Sequence, residues 1–149
     1  MNLFRVFAAA VQKLLPQRLT FAEELALLQQ ALTTYTTETA PQLRVRIAKL
    51  PQEQQSLAYE FLLAKKLEEA KTFFGNVSET LPDADHALAS QARTLREALD
   101  RHARQLTVYC EQSAGVFTSE QVVRTSFEIL GIQLAAAQTL FFTKITRAG

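Results

Sequence analysis

The chain has 149 residues, 48% of them apolar and 21% charged, a balance that suits one globular helical domain over residues 1–149 and argues against a disordered or membrane-filling chain. Sixteen Lys and Arg against fifteen Asp and Glu leave a net charge of +1, which gives no reason to expect a nucleic acid as partner. One cysteine, Cys110, excludes an internal disulfide and a thiolate metal site within one chain, and fits a reducing, cytoplasmic setting.

Four Gly and four Pro leave few turning points, so the elements should be few and long, which favours helices over short strands. Met1 to Leu15 reads as an amphipathic helix with Leu3, Phe4, Phe7 and Val11 on one side, ended by Pro16. Arg5, Lys13 and Arg18 precede any acid, so a membrane-surface role is the lesser expectation beside packing against the bundle or a partner. Gln12 and Lys13 interrupt the apolar run, which makes a signal peptide a poor fit.

Thr20 and Glu23 form a capping-box signature, and the seam Phe21, Leu25, Leu28, Leu32 and Tyr35 follows. The Thr-rich end, Thr33 to Thr39, predicts fraying near Glu38. Pro41 to Pro51 fits both a strand and a short helix. A lone strand has no ladder partner, so a short helix is expected. Gln52 to Phe74 predicts one helix, with Leu57, Phe61 and Ala64 on one stripe and Tyr59, Leu63, Leu67, Ala70 and Phe74 on another, stopped by Gly75 and Asn76. Pro82, Asp83 and Asp85 suit the first turn of a helix running to about Ser113, closed by Gly115. Its seam is Leu88, Ala92, Leu95, Leu99, His102, Leu106 and Tyr109. Ser119 to Ile145 is apolar nearly all round: Val123, Phe127, Leu130, Leu134, Ala137 and Phe141 form one stripe, and Ile129, Ile132, Ala136 and Leu140 a second. The expected fold is therefore an all-α, elongated bundle of five main helices plus one short one, built on a long antiparallel C-terminal helical hairpin.

His102, on a core position, is the most informative polar residue. It and Tyr109 are the weak candidates for contact with an apolar ligand, although a histidine hydrogen-bonded inside the bundle is the stronger expectation. Cys110 stands eight residues away on the same helix, too far to form a nucleophile–base pair with it. Asp83 and His86 have a metal-compatible spacing, yet no Glu-x-x-His pair exists, so no metal or cofactor is expected. Arg93, Arg96, Arg101 and Arg104 form a modest basic stripe without interleaved aromatics, better suited to a solvated face than to nucleic acid.

Arg96 and His102, with five residues between them, resemble the arginine–histidine element of the HEPN family of helical ribonucleases and their inactive relatives. The resemblance covers seven residues. It departs from the family pattern in Glu97 after the arginine and in Ala103 and Arg104 after the histidine. A six-residue step also turns about 240° round a helix, which puts Arg96 on the flank while His102 points inward. No catalytic constellation emerges. The expected function is a non-enzymatic interaction, scaffold or regulatory module that forms a homodimer or docks on a protein partner, with an apolar-ligand sensor or carrier around His102 as the alternative. Phe4, Phe7, Val11, Gly131, Ala135 and Phe142 are the candidate interface residues.

Overall fold

The computed structural model describes residues 19–80, 86–111 and 119–148, and these are helical throughout apart from short connections, with no strand among them. The expected helix Met1 to Leu15 with Phe4, Phe7 and Val11, the first turn Pro82–Asp85, the Asp83–His86 pair and the Gly115 stop lie outside the described residues or their described side chains.

The first described helix, α1 (Phe21–Thr34), starts at the expected capping box: Thr20 Oγ1 accepts from the Glu23 amide, and the Glu23 carboxylate accepts from the Thr20 amide. Its whole expected seam, Phe21 to Tyr35, is buried. It does not fray near Glu38. The chain passes through a π-helical turn, Tyr35–Thr39, straight into α2 (Ala40–Ile47). Pro41 explains this, because it has no amide proton for the carbonyl four residues back and its ring would clash there. The wider register answers the problem: the Ala40 amide bonds Tyr35 O, five residues back. The hydroxyls of Thr36 and Thr37 take the carbonyls of Leu32 and Thr33, at 2.9 and 2.6 Å. Residues 41–47 are thus helical, with Leu43 and Ile47 buried and Val45 exposed.

The expected helix over Gln52 to Phe74 is two helices. α3 (Gln52–Leu62) ends at Leu63, which sits in the left-handed region at φ 51°, and α4 (Ala64–Thr80) follows at once. Conversely, Gly75 and Asn76 do not stop the helix. Continuing it places Val77 on the buried stripe of Ala70 and Phe74, and burying that side chain outweighs the roughly 1 kcal/mol that a mid-helix glycine costs. Tyr59, expected on a stripe, is exposed.

The two longest helices, α5 (His86–Glu111) and α6 (Glu120–Ala148), make the most extensive helix–helix contact, and α1 packs next most closely on α5. All seven expected seam residues of α5 are buried. On α6 the buried line is Val123, Ser126, Leu130, Leu134, Ala137 and Phe141, so Ser126 takes the inward position expected of Phe127, which is half-buried. Two aromatic clusters fasten the core. Phe21, Phe74 and Phe141 meet at one end, with ring centroids 5.8 and 5.2 Å apart, and Phe61 meets Phe127 at 5.1 Å towards the other.

Candidate functional site

His102 is fully buried, and both ring nitrogens are engaged. Nε2 lies 2.6 Å from the Phe61 carbonyl and Nδ1 lies 2.7 Å from Ser126 Oγ. The carbonyl can only accept, so Nε2 carries a proton; in the neutral ring Nδ1 accepts the single proton of the Ser126 hydroxyl, which is then not given to the Val123 carbonyl 2.8 Å away. Burial is the main cause that holds the His102 pKa below its ordinary value, and the bond to the Phe61 carbonyl opposes it. A neutral imidazole with both nitrogens satisfied fits the structural expectation for this residue and leaves no nitrogen for a ligand.

The break after Leu62 explains why His102 and Tyr35 are where they are. An uninterrupted helix would spend the carbonyls of Phe61 and Leu62 on the amides of Lys65 and Lys66, whereas the break at Leu63 leaves them open. His102 Nε2 takes the first and the Tyr35 hydroxyl takes the second at 2.7 Å, both inside the protein. Tyr35 is correspondingly pushed above its ordinary pKa, chiefly by burial. A left-handed leucine costs about 1–2 kcal/mol, and these two buried hydrogen bonds help to hold it.

Tyr109, the second ligand candidate, is buried two turns further along α5 and is raised in pKa by burial and then by Glu120. It is not brought to His102. Cys110 is buried and its thiol is pushed up to about 11, mainly by burial, which keeps it protonated and unreactive. It borders a depression crossed by the Arg46–Glu111 ion pair at 2.5 Å.

Arg96 does not join His102. It lies 3.4 Å from the carboxylate of Glu24, which Arg93 approaches at 3.9 Å. Glu24 is almost fully buried, so two members of the apparent surface stripe are tied to the core. The signal for Glu24 was in the sequence: it stands on the face of Phe21, Leu25 and Leu28. Ser126 was marked likewise, three residues after Val123 and four before Leu130. Among the described residues no group of three or more His, Cys, Asp or Glu gathers as a metal site would, and no described helix is long and apolar enough to cross a membrane.

Three large apolar side chains of α6 are exposed, spread round the helix from Val122, beside Ser126 and Ile129, to Phe142. Ile132 is 65% exposed, Phe142 63% and Val122 44%. Beside Ile132, α4 and α6 part to form a groove of about 700 Å3, whose apolar lining comes from Leu63, Phe127, Gly131, Ile132, Leu134 and Ala135, with Lys66, Glu69, Glu128 and Gln138 at its edges. Two of the expected interface residues, Gly131 and Ala135, therefore meet in one groove, with Phe142 two turns further along the helix. A Cβ placed on Gly131 would meet nothing within 4 Å, so no packing inside the chain requires a glycine there. No protein-family model, no curated protein and no solved structure matches the chain.

Proposed function

We propose that the protein is a non-enzymatic interaction module, a helical scaffold whose working surface is the α4–α6 groove, and that this surface receives a helix of another polypeptide. The observation that carries this is the groove itself: a helix with a buried seam on one side presents isoleucine and small residues to an open apolar trough on the other. The supporting frame is an elongated antiparallel hairpin of α5 and α6, about 39 and 44 Å long at 1.5 Å per residue. Its direction is supported by two cross-links, Gln91 to Gln133 and His102 to Ser126, in which the α6 number falls as the α5 number rises. The groups with chemical potential are engaged in holding the fold: His102 and Tyr35 at the helix break, Glu24 with its arginines, and a protonated Cys110. A cytoplasmic site of action belongs to the same proposal, on the ground of the single cysteine.

The test labels Glu128→Cys, at the groove edge, with an environment-sensitive fluorophore in the full chain. Buried Cys110 leaves the new thiol as the reactive one. Unlabelled protein or an extract of the source cells should shift the emission to the blue, while a label at exposed Glu97→Cys, outside the groove, should not respond. Emission at the solvated value under both additions would contradict the proposal.

A further inference from the structure

We infer that the cleft between α5 and α6 beside Ser126 is a binding site for a small organic carboxylate with a short aliphatic tail. The inference goes beyond the proposed docking surface and does not depend on it. The cleft lies on the α5 side of α6, whereas the groove lies on the α4 side. Its volume is about 350 Å3, at the small end of the range that small-molecule sites span.

The lining divides by chemistry. α5 supplies Arg101 and Gln105, four residues apart and therefore on one face. α6 supplies Val122 and Ile129, two turns or about 10 Å apart, with Gln121 beside the first and Ser126 between them. No acid stands among the described lining residues. Arg93 and Arg96 are held by Glu24, and Arg124 by Glu120, but Arg101 makes no ion pair or hydrogen bond among the described residues, even with Glu97 one turn before it. A free guanidinium is a planar fork that matches a carboxylate. The Gln105 amide is likewise without a partner, and that of Gln121 has only a long contact of 3.4 Å to Thr125 Oγ1, so both can donate to the same anion. Ser126 cannot, because its one proton is spent on His102. The charged head is thus taken by Arg101 and the two amides, and the tail lies over Ser126 on Val122 and Ile129. One cation in the lining matches a single negative charge rather than a phosphate dianion, and it repels amines.

The experiment titrates hexanoate, up to ten millimolar at neutral pH, into the isotope-labelled full chain and follows backbone amide shifts by NMR. Hexanoate should move the amides of Arg101, Gln105, Val122 and Ile129 to saturation. Hexanol, which lacks the charge, and acetate, which lacks the tail, should each bind about tenfold more weakly or worse. Arg101→Gln should weaken hexanoate by about tenfold or more. Arg104→Gln, an equal loss of charge at an exposed position outside the cleft, should leave the affinity unchanged. Unmoved amides elsewhere in the spectrum of each variant check that the fold is intact. No saturable shift at the cleft, hexanol that binds as tightly as hexanoate, or equal affinities in Arg101→Gln and Arg104→Gln would overturn the inference.

Discussion

At the scale of residues, the polar groups inside this protein hold its helices together. His102 bonds Ser126 on α6 and Phe61 on α3, and its lowered pKa means that the folded state favours the neutral ring. Its contribution to stability is therefore complete above the ordinary value of 6.5 and is lost as the pH falls below it. Chemical denaturation between pH 7.5 and 5 should show stability falling by up to about 1.4 kcal/mol per pH unit, with the slope reduced in His102→Gln. An unchanged slope would contradict this. Glu24 makes a second case. Arg96→Met should cost about 3 kcal/mol in urea denaturation, because it strands a buried carboxylate beside the distant Arg93, and Glu24→Met in the same chain should recover most of the loss. The sequence placed His102 in the core by its spacing. Its Phe61 partner was not legible, because that carbonyl becomes free only through a backbone break that no residue type announces.

At the scale of elements, hydrophobic spacing was the most readable signal and turn chemistry the least. The seams of α1 and α5 emerged complete, since five apolar positions on one, and six with His102 on the other, at steps of three and four leave a helix one way to bury them. The expected fraying before Pro41 gave way to a π-turn, because Tyr35, Ala40 and Leu43 are buried on both sides of it and keep the helix together. The expected stop at Gly75 gave way to a break at Leu63, a residue with no preference for the left-handed conformation. There, tertiary hydrogen bonds from Tyr35 and His102 outweigh local propensity. Replacing Leu63 by glycine relieves the backbone and loses only half-buried surface, so it should change stability by no more than about 1 kcal/mol, whereas Leu67→Ala, one turn into α4 and fully buried, should cost about 2–5 kcal/mol. Urea midpoints of the two variants compare them directly, and a Leu63→Gly loss as large as that of Leu67→Ala would contradict the account of the break.

At the scale of the whole molecule, α6 is apolar on two sides. One side closes the core against α5, and the other is presented beside the groove with α4. The excess of apolar residues on this helix was legible in the sequence, as were Gly131 and Ala135. The groove was not, since it depends on how α4 is set against α6 between the break at Leu63 and the Phe74–Phe141 contact. An exposed residue can be changed without harm to the fold, and Ile132, at 65% exposure beside the groove, is the clearest probe of the proposed surface. The most direct measurement is the emission of the Glu128→Cys label with and without Ile132→Glu, alongside the melting curves of both proteins. The account predicts a blue shift on the additions of the groove test that Ile132→Glu abolishes, with stability changed by less than about 0.5 kcal/mol. An equal shift in the two proteins, or an unfolded variant, would contradict it.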